Sequence, residues 1–168
     1  VKYAGAAIDP SFVEALLDDI SDQTDQLPVL QHALMRTWAH WQELNEPERP
    51  ISYIDYDSVG TMSNAMSRHA NEAYGELDPK GMEICKKMFK AITEKGPDNK
   101  GIRHPSGVYT LMSIIECKAE ELYNVIDKFR IPSRSFITPR HGIQLNDESV
   151  IDLSHESLIR LWDRLSEW

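Results

Sequence analysis

Two cysteines, Cys85 and Cys117, are all that 168 residues contain. They stand far apart with no C-x-x-C partner, so neither a disulfide framework nor a zinc site is suggested, and a reducing cytoplasm is the expected setting. Long apolar runs are also missing. None approaches the roughly 20 residues that a membrane-spanning helix needs, so no membrane partner is expected. No basic start leads into an apolar segment, and no secretory leader is read. The chain opens at Val1 without an initiator methionine and reads as an excerpt of a longer protein. Basic residues are scarce in its first half. Residues 1–79 hold 4 of the 18 Lys and Arg but 14 of the 27 Asp and Glu, a net charge of −10, whereas residues 80–168 hold 14 basic and 13 acidic. Phosphate backbones are bound by clustered cations, so the first half is not a nucleic-acid surface. The break in composition near Pro79 divides the chain into two expected modules, 1–78 and 79–168. Finally, no G-x-x-x-x-G-K-[ST] occurs, so the chain lacks its own triphosphate cradle.

Helical periodicity dominates what is there. Asp9-Pro10 opens a segment in which Val13, Leu16, Leu17 and Ile20 recur at helical spacing, with Asp9 as N-cap, so a helix is expected over about Pro10–Ile20. Leu16-Leu17-Asp18-Asp19 has the hydrophobic-then-acidic look of a magnesium-binding strand end, but it falls inside that helical pattern. Asp25 precedes a second helix entered at Pro28 and reaching about Leu44, with Leu30, Leu34, Met35, Trp38 and Trp41 as its apolar stripe. His32, Arg36 and His40 recur on one face of it and receive no role. Ile51 to Tyr56 reads as extended. Met62, Ala65, Met66, His69, Ala70, Ala73 and Tyr74 then line a further helix.

The second module begins at Asp78-Pro79, with Met82, Cys85, Met88, Phe89 and Ile92 on one helix face and Lys86, Lys87, Lys90 and Lys95 elsewhere. Gly96 to Gly101 is a turn-rich connection. Ile102 to Pro105 is a candidate strand, Tyr109 to Ile115 a second helix, and a third carries Leu122, Val125, Ile126 and Phe129 inward. Ser135 to Thr138 and Val150 to Leu153 make a two-stranded wing. Three helices followed by a β-hairpin is the winged-helix order.

The last strand turns into a helix through Asp152-Leu153-Ser154-His155, with Leu158, Ile159, Leu161, Trp162 and Leu165 at helical spacing. With Asp152 or Ser154 as N-cap, His155 falls in the first turn, where free N–H groups and the helix dipole favour an anion. A histidine there either packs and caps locally or receives such an anion, and the residues alone leave both open.

"IDLSHESLIRLW", together with "DQLPVLQHALMRTW", resembles the bacterial STAND class of signalling ATPases, in particular the nucleotide-switch module often followed by WD40 repeats. The resemblance implies a mainly α fold: a helical-bundle lid followed by a winged-helix domain with a small β-hairpin wing. It implies that the chain is the regulatory part of a switch that, in the intact protein, holds ADP or ATP with Mg²⁺. Pro28 would lie against the adenine and His155 at the phosphates. The implied partner is a P-loop ATPase domain of the same protein, and the implied output is self-assembly into a homo-oligomer. The alternative is a winged-helix DNA-binding or protein-interaction module without a nucleotide role. Against DNA, the third-helix region carries Glu116, Glu120, Glu121 and Asp127 beside Lys118, Lys128 and Arg130. Catalysis by this chain alone is not expected: Ser154, His155 and Glu156 are neighbours on one segment and do not converge as nucleophile, base and orienter must.

Overall fold

The Asp9 carboxylate accepts a hydrogen bond from the Ser11 N–H at 2.8 Å and starts α1, Pro10–Asp19. Such a cap stabilises a helix by about 1 kcal/mol, and Pro10 gives up no hydrogen bond at the first helical position. The computed structural model describes residues 5–20, 26–95 and 101–168; Asp25 and the 96–100 part of the expected turn lie outside them. The chain divides into two compact units, Val1–Arg68 and His69–Trp168. The division falls inside α4, Thr61–Gly75.

In the first unit, α1 turns Phe12 inward against Tyr56, with ring centroids 5.5 Å apart. The Tyr56 hydroxyl donates to Asp19 at 2.6 Å and accepts from the Met62 N–H at 2.9 Å. One buried phenol thus ties α1 to the start of α4. The acidic pair Asp18-Asp19 lies at the end of a helix, as the periodicity required. α2, Gln26–Glu43, buries Val29, His32, Ala33, Thr37 and Trp41, while Leu34 is exposed. The inward stripe is therefore rotated from the expected one, because Thr37 satisfies its hydroxyl on the Ala33 carbonyl at 2.8 Å and can be buried.

The expected extended stretch at Ile51–Tyr56 is a correction. Only Ile51 and Ser52 are extended, Ile51 bridging Ile8, and Tyr53–Ser58 form α3. The Asp55 carboxylate reaches back to the Ser52 N–H at 2.9 Å and takes a two-pronged bond from Arg49 at 2.6 and 3.0 Å. Burial pushes this carboxyl upward, but those bonds outweigh it and hold it below its ordinary value. In α4, Met62, Ala65, Met66, His69, Ala70 and Ala73 are all buried, as the spacing predicts.

The second unit starts with α5, Pro79–Ala91, capped by Asp78 through the Gly81 N–H at 2.7 Å. A hairpin of β1, Thr93–Lys95, and β2, Gly101–Arg103, follows, pairing Thr93 with Arg103. Then come β3, Ser106–Gly107, α6, Val108–Ile115, and α7, Ala119–Arg130. β4, Ile137–Thr138, and β5, Val150–Leu153, complete a three-stranded antiparallel sheet in the order β3-β5-β4. The expected two-strand wing thus gains a third strand from before α6. Leu122, Val125, Ile126 and Phe129 are fully buried on α7. The fold is mainly α.

Glu76 is the main ionic anchor of this unit. Its carboxylate receives both Arg134 and Lys128, the latter at 3.2 Å, and the Arg134 side chain is buried. Hydrogen bonding from Arg134, then from Lys128, holds the Glu76 carboxyl down to about 2. A depressed carboxyl stabilises the fold above its unfolded pKa and loses that contribution as pH falls toward the folded value. The stabilisation should therefore be full at neutral pH and fade between about pH 4.5 and 2. Because Glu76 is partly exposed, solvent screening limits it to about 1 kcal/mol. Glu76→Gln should lower the melting temperature at pH 7, with the gap to the parent closing at about pH 2. A gap that persists at low pH would assign the effect to packing instead.

Candidate functional site

β5 alternates: Ile151 and Leu153 are fully buried, and Asp152 points the other way. Asp152 therefore faces β2, where Arg103 donates to its carboxylate at 3.1 Å and to the Leu153 carbonyl at 3.1 Å. The same guanidinium lies 3.5 Å from the Glu156 carboxylate. From the other side, the Ser154 N–H donates to the Phe136 carbonyl at 2.9 Å and its hydroxyl donates to the Ser135 carbonyl. The segment 152–156 is thus braced on both sides, and His155 stands on it with its side chain exposed.

The helix that follows, α8, Ser157–Leu161, differs from the expectation. Its N-cap residue is Glu156, whose side chain makes no capping bond. Neither Asp152 nor Ser154 caps it, because Arg103 and Ser135 engage those side chains. His155 therefore lies before the helix and not in its first turn. A five-residue helix also has little macrodipole to offer, so whatever His155 binds must be held by the imidazole itself. The helical run is interrupted at Trp162, which is extended at φ −86° and ψ 106°, and α9, Asp163–Glu167, follows. Gly101 sets the seat of α8. A Cβ there would run into the Ile159 side chain, so any side chain larger than hydrogen would force Ile159 or the packing around it to shift.

Pro28 is the third residue of α2 and is half-buried, next to the buried Val29. It belongs to the first unit, and His155 belongs to the second. Elsewhere on α2, His32 is buried, and Arg36 and His40 are half-buried. Among the described residues, no group of three His, Cys, Asp or Glu side chains is arranged to hold a metal ion. Arg160 is exposed. Sequence reasoning missed Arg103, Gly101 and Ser135, which position His155. Arg103 and Asp152 are 49 residues apart, and no local pattern announces their pairing.

Four of the cations around α7 are engaged. Lys128 and Arg134 bind Glu76, Arg130 binds Asp127 at 2.5 Å and the Ile143 carbonyl at 2.8 Å, and Lys80 binds Glu121 at 2.5 Å. No helix among the described residues is long and apolar enough to cross a membrane. Neither a curated protein nor a solved structure matches the chain. A family model described as Novel STAND NTPase 1 does match, over residues 1–168, and the chain belongs to that family.

Proposed function

We propose that this chain is the regulatory part of a STAND-type nucleotide switch, residues 1–78 acting as the helical lid and 79–168 as a winged-helix domain. Membership of the family over the whole length carries this reading. In the intact protein the nucleotide is ADP or ATP with Mg²⁺, and its phosphates supply the charge that the switch senses. His155 fits a phosphate oxygen, because its imidazole is exposed on a backbone braced from two sides. Pro28, half-exposed at a helix entrance, fits the flat face of a base. The described residues hold no cluster suited to Mg²⁺, so its ligands are assigned to a P-loop domain of the same protein. Loss of the His155 contact frees the second module and lets the protein assemble, in a cytoplasmic setting. DNA reading is the weaker alternative, since Lys80, Lys128, Arg130 and Arg134 beside α7 are spent on internal ion pairs and acidic residues flank the rest.

The 168-residue chain alone should show no ATP turnover and only weak binding of ATP or ADP, because phosphoryl transfer needs a phosphate cradle that the sequence does not contain. Phosphate release by purified chain, rising in proportion to its concentration and surviving a second purification, would overturn this assignment.

A further inference from the structure

Two apolar surfaces of the chain are open to solvent, and their flanking charges are opposite. On α1, Val13 and Leu17 are 44% and 65% exposed, and Ile20, the extended residue that ends the helix, is 42% exposed. The i, i+4 spacing of Val13 and Leu17 makes one stripe, and the exposed Glu14 and Asp18 run beside it. The helix is held to its unit by Phe12 and Asp19, and these apolar side chains lie largely outside that packing. In the second unit, α5 and α6 border an open groove of about 610 Å³ lined by Glu83, Lys86, Lys87, Lys90, Ala91 and Ile114. Its floor is apolar: Ile114 is 58% exposed, and the aliphatic stems of the lysines add to it. Its rim is basic. Lys87 is partly answered by Glu83 at 3.1 Å, while Lys86 lies over the Trp168 ring and Lys90 is exposed.

We propose that this groove receives α1 of a second copy of the chain. The Val13–Leu17 stripe lies on the Ala91–Ile114 floor, and Glu14 and Asp18 meet Lys86 and Lys90. This is the helix-in-groove mode, in which apolar anchors at helical spacing supply affinity and the rim charges supply register. A second copy is the occupant because the chain carries both halves of the match. Its first 79 residues also have a net charge of −10 that draws them toward a basic face. A ten-residue helix is about 15 Å long and covers well under the roughly 800 Å² per partner of a standard interface, so the contact is weak. Because the two surfaces differ, the contact is head-to-tail and propagates beyond a dimer unless a ring closes. The inference concerns surfaces of the chain itself and holds whether or not His155 touches a phosphate.

Sedimentation velocity of the 168-residue chain at low salt, over concentrations reaching about 1 mM, tests it. The expected result is a weight-average mass that rises with concentration past the dimer and falls when salt is added. Lys86→Glu with Lys90→Glu should weaken association about tenfold or more, and so should Glu14→Lys with Asp18→Lys. All four changes together should restore it. Leu17→Ser, at an exposed position outside the core, should weaken it without altering the circular dichroism spectrum. The proposal is overturned by a chain that stays monomeric throughout or by association indifferent to Leu17→Ser. It is also overturned if the two charge reversals weaken binding separately and fail to restore it together. A partner other than a second copy would give the first of these outcomes.

Discussion

Trp162→Ala should lower the unfolding free energy of the second unit by about 3–5 kcal/mol, the range for removing a fully buried large aromatic. Trp162 has no exposed surface. Its ring lies 4.9 Å from Phe89 on α5, 5.6 Å from Phe129 on α7 and 5.3 Å from Trp168. Its indole N–H donates to the Asn71 side chain at 2.9 Å, which Arg164 Nε shares at the same distance. Truncation therefore empties a cavity at the meeting point of three helices and strands one acceptor bond of Asn71. Against a typical total stability of about 5–15 kcal/mol this is a large fraction, equivalent to a fall of about 12 °C or more in the melting midpoint. Trp162→Phe should retain most of the packing and lose chiefly the Asn71 bond, about 1 kcal/mol. Thermal melts of the two variants, followed by far-ultraviolet circular dichroism, separate these terms. A loss under about 1 kcal/mol for the alanine variant would mean that the cluster repacks around the gap.

The same residue explains where the sequence was legible and where it was not. The spacing Leu158, Ile159, Leu161, Trp162, Leu165 reads as one continuous helix. Yet the chain breaks at Trp162 into α8 and α9, because the ring enters the Phe89–Phe129 cluster, and that destination is a tertiary fact. Helices that carry their own start signals were plain: Asp9-Pro10 and Asp78-Pro79 both cap as expected. α3 had a signal too, Ser52-x-x-Asp55, a capping-box spacing hidden among Ile51, Tyr53, Ile54 and Tyr56, whose side chains favour strands. The turn bearing His155 misled for a different reason. Asp152 and Ser154 are good caps by residue type, but Arg103 and the Ser135 carbonyl, distant in sequence, bind them first. The exposure of His155 was not legible at all, since it lies beyond β5 on a turn that sequence-distant groups brace from two sides.

That exposure sets the outcome for His155→Ala in the intact protein. The substitution should speed ADP release and permit assembly without the activating signal. One hydrogen bond to a charged group contributes about 1.5–3 kcal/mol, so the closed-to-open ratio should fall about 13- to 160-fold. Since the side chain is exposed and supports no core contact, the melting temperature of the nucleotide-free protein should stay within about 2 °C of the parent. Arg160→Ala is the matched comparison, an exposed cation on the following helix, and its ADP off-rate should change little. Ser157→Ala should also leave that off-rate nearly unchanged, but Ser157 is buried, so its melting temperature must be read alongside. Arg103→Ala, which unpins the turn without removing the imidazole, should give an intermediate off-rate, a positioning effect that Arg103→Lys partly rescues. Stopped-flow release of fluorescent ADP from each variant measures the series directly. An off-rate in His155→Ala equal to the parent's, whatever happens to its melting temperature, would remove the phosphate-sensing role from this histidine.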